Sequence, residues 1–197
     1  MTREELLDLY DSGGGRLDFS RLNLMGIDLS GVQMQEVLFA EANLSNANLT
    51  ESCLVEVAFT GANLSNANLS GAELYESSFF NADLRNALIQ NVNFQGGRFD
   101  SCNFSGASLE NSVFRGSVLI QTSFRDTDLT NTIFEEHIWE PEYPIPADQT
   151  LLIDVDLSEA IVKNTRLRRC ELLNTRLPSG EIPRFGERFK DIQERIF

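Results

Sequence analysis

Large apolar residues recur along this chain at every fifth position without a slip. The series opens Phe19, Leu24, Leu29, Met34 and closes Phe124, Leu129, Phe134, with Leu, Ile, Phe or Met at each step between. A helix of period 3.6 would spread such residues around its whole circumference, and a strand of period 2 would flip them from face to face. The position two residues earlier is small, and from Ala42 onward it is mostly Ala, Ser or Thr. Alternate side chains of an extended segment share a face, so the small and the large residue both point inward. The residues between are mostly Asn, Asp and Ser and point outward. Two residues after the large one the chain often carries Gly or Asn, as at Gly61, Asn66, Gly71 and Asn81. These residue types tolerate the positive φ of a tight turn. Each five-residue unit predicts one short side followed by a corner.

The number of sides is legible as well. The octapeptide ANLSNANL stands at 42–49 and again at 62–69, and Phe19, Phe39, Phe59, Phe79 and Phe99 recur at the same twenty-residue spacing. Four units therefore close one coil, with the phenylalanines stacked in a column and residues such as Leu64 and Leu69 filling the other sides. Units 17–136 make six coils, a rod of about 29 Å at strand spacing. Each fully buried Leu or Phe contributes about 2 kcal/mol before conformational entropy is set against it.

The unit (Ala/Ser/Thr)-(Asn/Asp)-(Leu/Phe)-(Ser/Thr/Arg)-(Gly/Asn/Glu) resembles the pentapeptide-repeat proteins, numerous in cyanobacteria. The resemblance covers 17–136 and 150–178. It implies an all-β solenoid, a right-handed quadrilateral β-helix with four repeats per coil, finished by short N- and C-terminal helical caps. It says little about function, since members of that family range from scaffolds to topoisomerase-protecting proteins.

The breaks in the pattern set the boundaries. Residues 1–16 form an N-terminal helical cap: Thr2 and Glu5 have capping-box spacing, and Leu6, Leu7, Leu9 and Tyr10 supply an apolar set ahead of three glycines. The first coil is suited to such a cap, its inward small positions being enlarged to Leu17, Leu22, Ile27 and Val32. No unit fits 137–149, a proline-rich inserted loop. The five-step resumes with Leu152, Leu157 and Val162 and adds about one and a half coils over 150–178. Pro178 closes the array because it cannot donate to a ladder. In 179–197, Phe185, Phe189, Ile192 and Ile196 share one helical stripe, which reads as a second cap or as the contact of a weak homodimer.

Composition narrows the chemistry. Thirty acidic against sixteen basic residues give a net charge of -14, which argues against direct nucleic-acid binding and against an anionic membrane surface. No run approaches the roughly 18 apolar residues of a membrane span. The N-terminus lacks a basic flank and an unbroken apolar core, so no secretory signal is expected. Cys53, Cys102 and Cys170 share no short spacing, which fits a reducing cytoplasm rather than a disulfide framework or a zinc site. The single histidine, His137, has no spaced nucleophile, metal partner or phosphate loop beside it. Neither catalysis nor a cofactor is expected.

Surface positions hold the remaining signals. Glu36, Glu56 and Glu76 fall on one corner in successive coils and read as a solvated rim. Arg166, Arg168 and Arg169 cluster on the final units and read as partners for nearby carboxylates, or as a dock for an acidic protein. Val113 and Ile133 on the fourth side, with Val118 and Ile120 on the adjoining first side, are outward yet apolar. The inserted loop leaves the rod beside them carrying Trp139 and Tyr143, and Trp139 is expected to anchor a fold-back over that patch. These features point to a non-enzymatic scaffold that binds another protein. The alternative is a DNA-mimicking modulator of gyrase, which the resemblance brings in. Against it, a net charge of -10 over 17–136 is about one charge per 3 Å of rod, whereas duplex DNA carries one per roughly 1.7 Å.

Overall fold

A computed structural model describes residues 1–13, 17–135, 150–168 and 170–178. The described chain winds as a stack of parallel coils. Its bridges join residues twenty apart in four columns: Asp18 to Leu38 to Ala58 on the first side, and Asn23 to Asn43 to Asn63 on the second. Asp28 to Asn48 to Asn68 form the third column, and Cys53 to Glu73 to Asn93 the fourth. Each side bonds to the next coil through its backbone. Leu44 N donates to Asn63 O (2.8 Å), Asn46 N to Ser65 O (3.0 Å), and Asn63 N back to Ala42 O (3.0 Å). The peptide groups of a short side find their partners one coil away, so no unit is stable alone.

Corners are where the sequence pattern acts. The residue two after each central position has positive φ from Arg21 through Asn131, whatever its type, as at Glu41 (58°), Asn46 (59°) and Ser101 (59°). At most corners the amide three residues on donates to the central carbonyl, for example Ala47 N to Leu44 O at 3.0 Å. Positive φ at the third residue of a bonded four-residue turn is the type II geometry. The Asn or Asp before the central residue tightens the corner from outside: Asn63 Oδ1 accepts from Ser65 N at 3.0 Å and from Ser65 Oγ at 2.7 Å. This explains the Asn-Leu-Ser triplet, since the first side chain replaces water for the third residue's amide and hydroxyl.

Few sides are long enough to be strands. They are β1 (Gln33–Gln35), β2 (Cys53–Val55), β3 (Val113–Arg115), β4 (Val118–Ile120), β5 (Ile133–Glu135), β6 (Thr150–Ile153), β7 (Arg166–Arg168) and β8 (Cys170–Leu173). They stack in parallel stripes, β1 on β2, β3-β5-β7, and β4-β6-β8. Between β5 and β6 the register step changes: Val118 pairs with Leu151 and Ile133 with Arg166, thirty-three positions apart instead of twenty. The inserted residues thus leave the columns on both sides continuous.

The interior is a stack of side chains. Phe19, Phe39, Phe59, Phe79 and Phe99 lie face to face with centroids 5.6, 5.5, 5.0 and 5.1 Å apart. The aromatic column then changes side. Phe94, Phe114 and Phe134 stack on the fourth side at 4.8 and 4.9 Å, and Phe104 stacks on Phe124 on the second at 4.9 Å. Leu64 and Leu69 are fully buried.

The buried hydroxyls are not spare. Thr127 Oγ1 donates to Phe104 O (2.9 Å) and Thr132 Oγ1 to Leu109 O (2.8 Å), each reaching the central carbonyl of the coil beneath. Ser112 sits inside a corner bond, accepting from Val92 N (3.2 Å) and donating to Ile89 O. The sequence reading treated these inward positions only as small. They are also the donors that complete corners in the later coils.

The N-terminal end is closed by α1 (Arg3–Ser12), whose capping box pairs Thr2 with Glu5. Leu6 is fully buried, Leu7 and Tyr10 pack on the core, and Arg3 donates to Asp28 O (2.9 Å) and Ser30 O (3.0 Å) of the first coil. Among the described residues no helix is long and apolar enough to cross a membrane. The expected inserted loop with His137, Trp139 and Tyr143, and the expected C-terminal helix, lie outside the described residues.

Candidate interaction surface

The four sides differ in what they show to solvent. From the second through the seventh layer the second side presents Asn43, Ser45, Asn63 and Ser65, then Asp83, Arg85, Asn103 and Ser105, then Ser123, Arg125, Asp156 and Ser158. It carries no apolar side chain. In the same layers the first side presents Leu38, Ala40, Ala58, Thr60, Ser78 and Phe80, and beyond Arg98 and Asp100 it continues with Val118, Ile120, Leu151 and Ile153. Phe80 is 44% exposed. Two sides built from one repeat thus differ over these layers, and the apolar run of the first side is broken by Arg98 and Asp100 in the fifth layer and absent from the first, where Asp18 and Ser20 stand.

Val113, Val118, Ile120 and Ile133 are all half-buried. The structure stacks Val113 on Ile133 on the fourth side and Val118 beneath Leu151 on the first, with Arg115 and Glu135 standing between the two pairs. Leu151, Ile153 and Leu173 extend the patch upward, and sequence reasoning missed them. Sorting the units after the insertion by a thirty-three-residue step would have found them, because that step puts Ile153 above Ile120.

Glu36, Glu56 and Glu76 lie exposed on one corner, each in the left-handed region at φ 56°, 55° and 52°. Gly96 is the next residue of that column, and a Cβ there would come within 3.1 Å of Glu76 Cγ. Among the described residues no group of His, Cys, Asp and Glu could hold a metal ion. Elsewhere on the surface carboxylates do find partners. Arg21 Nε lies 3.0 Å from Glu41, and Arg85 Nη2 lies 2.7 Å from Asp83. Hydrogen bonding and charge from these arginines hold both carboxyls below their ordinary range. Burial works to raise Asp156, but hydrogen bonds from Ser158 and the charges of Arg176 and Arg125 outweigh it and lower that carboxyl.

Of the basic cluster only the Arg166 side chain is among the described residues. Arg166 is exposed at the start of β7, opposite Ile133, and forms no ion pair among the described residues. Arg168 lies opposite Glu135 on the same strand. Arg169 falls outside the described residues. The carboxylate of that region, Glu135, is 3.5 Å from Arg115 Nε instead. Of the thiols, Cys102 is buried and burial pushes it far up, while Cys53 is half-buried on the fourth side.

The chain is similar to the plasmid-mediated fluoroquinolone resistance protein QnrB1, at 14% identity over 68% of this chain and 71% of the other, with a TM-score of 0.46. It is similar to a pentapeptide repeat protein of the Arabidopsis thaliana thylakoid lumen, at 27% identity over 60% and 72%, TM-score 0.41. It also resembles a pentapeptide repeat protein from Nostoc PCC 7120, at 31% identity over 58% and 80%, TM-score 0.33. None of the curated proteins matches it. The sequence model described as Pentapeptide repeats (8 copies) matches residues 23–61, 58–96 and 98–135, more than half of the chain. Five-residue periodicity, twenty-residue register and this match together establish that the chain belongs to the pentapeptide repeat family.

Proposed function

We propose that this protein is a non-enzymatic scaffold that binds another protein through its first side, on a right-handed, four-sided coil. The contrast between the first and second sides carries the reading. A repeat that builds a polar second side over layers two to seven, with Met25 exposed on it in the first, has no folding need for Leu38, Phe80, Ile120, Leu151 and Ile153 on the first side. Contiguous apolar surface, as Val118, Ile120, Leu151 and Ile153 form across two layers, marks an interaction site, whereas scattered apolar residues do not. Val113 and Ile133 on the adjoining fourth side, with Trp139 and Tyr143 of the inserted segment 137–149, are further candidates for it. The exposed Arg166 would orient an acidic partner at the upper end. The buried Cys102 and the half-buried thiol of Cys53 fit a cytoplasmic setting.

The test is capture from a lysate by the immobilised protein, compared with two variants. Ile120→Lys combined with Ile153→Lys should abolish capture of a specific partner. Asn63→Lys, on the second side, should leave it unchanged. Equal capture by all three would sink the assignment of the binding side. Gyrase modulation has no separate observation in its favour. Its direct check is a supercoiling assay, where no dose-dependent effect is expected.

A further inference from the structure

Each layer of the first side offers two outward positions, one before and one after the buried central residue. Their occupants are complementary in kind. Leu38 stands beside Ala40, Ala58 beside Thr60, and Ser78 beside Phe80. In the fifth layer Arg98 stands beside Asp100, with Arg98 Nη2 3.5 Å from Asp100 Oδ2. The Arg98 side chain is 65% exposed and that of Asp100 11%, so the cation stands out from the face while the carboxylate is set into it beside Phe80. In the sixth and seventh layers both positions are apolar, Val118 with Ile120 and Leu151 with Ile153.

Consider a second copy laid against this face by a two-fold axis parallel to the rod. The operation brings the earlier position of each layer against the later position of the same layer in the other copy. Leu38 then meets Ala40, Ser78 meets Phe80, Arg98 meets Asp100, Val118 meets Ile120, and Leu151 meets Ile153. In these layers large side chains face small ones, a cation faces an anion, and apolar residues face apolar residues, while Asp18 meets Ser20 in the first layer and the position of Glu171 meets that of Leu173 in the last. A two-fold axis across the rod at the same level would instead set Arg98 against Arg98, which costs electrostatic energy at contact distance. Self-complementarity about one operator is what a closed, isologous dimer requires.

We infer that the first side pairs with the first side of a second copy of this chain, the two rods parallel and the fifth layer held by reciprocal Arg98–Asp100 contacts. The inference rests on the first side being the binding surface and names one occupant of it. Size limits its strength. Eight layers about 4.8 Å apart, on a face about 10 Å across, offer on the order of 400 Å² per copy. Stable interfaces use about 800 Å² per partner. Glu36 on one rim also meets Glu41 on the opposite rim of the same layer. The dimer is therefore weak and concentration-dependent, and at low concentration the face is open to other partners.

Sedimentation velocity on the full chain, from the micromolar to the millimolar range, tests this directly. The parent should shift reversibly from monomer toward dimer. Arg98→Asp and Asp100→Arg, each folded by circular dichroism, should weaken association at least tenfold, because like charges then face each other. Mixing the two variants in equal amounts should restore it, since Asp at 98 of one meets Arg at 100 of the other. Loss of an ion pair within one copy predicts no such rescue. A parent that stays monomeric throughout, a dimer insensitive to both substitutions, or loss without rescue on mixing would each overturn the inference. The capture experiment still judges the binding side in those cases, so the two readings fail separately.

Discussion

A buried hydroxyl in this stack does one of two jobs, and they differ in cost. Thr127 donates to Phe104 O, a carbonyl that also accepts from Ala107 N at 2.9 Å. Ser112 occupies a corner with no direct bond between Val92 N and Ile89 O, and it serves both groups. Thr127→Val should cost about 1 kcal/mol, because the carbonyl keeps a partner. Ser112→Ala should cost about 2–3 kcal/mol, because a buried amide and a buried carbonyl are both stranded. Urea denaturation of the two variants checks the order, and equal losses would show that the bridging hydroxyl is replaceable. Larger effects belong to the inward central residues. Leu64→Asp places a charge in a fully buried layer and should unfold the stack at ordinary temperature. Asn63→Ala should cost only about 1 kcal/mol, since it removes the corner bonds to Ser65 but leaves the core intact. Thermal melts of this pair should differ by many degrees.

A single coil side, as an element, combines a bridge to its neighbours with a corner that must accept positive φ. Glu36, Glu56 and Glu76 meet that demand with a side chain that has no special aptitude for it and repels its like. Replacing all three by Gln removes only the repulsion and should leave stability equal or slightly higher. Replacing all three by Gly should raise it further, by relief of the left-handed strain. Added calcium should change neither the parent nor the variants. Stabilisation of the parent alone by calcium, followed in a thermal melt, would mean that the corner column binds a cation after all.

Acid should weaken the molecule as a whole. Asp28 is lowered mainly by its hydrogen bond from Ser30, Glu41 by Arg21 and Asp83 by Arg85. A carboxyl whose folded value lies below its unfolded value adds stability that is fully present above about pH 4 and is lost as the pH falls through the folded value. The melting temperature should therefore hold on acidification to about pH 4 and then decline. Relief of the net charge of -14 acts in the opposite direction as the acids protonate. Asp83→Asn should flatten the acid decline, because it removes one of the lowered groups together with its arginine pairing. A decline equally steep in that variant would remove Asp83 from the account. Because every coil bonds only to its neighbours, loss of the fifth or sixth layer should also uncouple the two ends.

The sequence by itself determined the coil. One inward residue every five positions, small companions two earlier and corner-tolerant residues two later admit a single arrangement, because each requirement is local and repeats without interruption from Phe19 to Phe134. The twenty-residue phenylalanine column set the number of sides, and the Thr2–Glu5 spacing set the start of the cap. The outward apolar residues Val113, Val118, Ile120 and Ile133 were legible for the same reason, since inside and outside alternate predictably. Relations between coils were decided only by the tertiary structure. Which carbonyl Ser112 serves depends on the stacking of one layer on another, twenty-three residues away. Leu151 and Ile153 joined the apolar face only once the thirty-three-residue step aligned them with Val118 and Ile120. Glu135 comes within 3.5 Å of Arg115 Nε on the layer beneath, a pairing that residue spacing alone does not rank. A five-residue repeat specifies where each side chain points; the neighbouring layer decides what it meets.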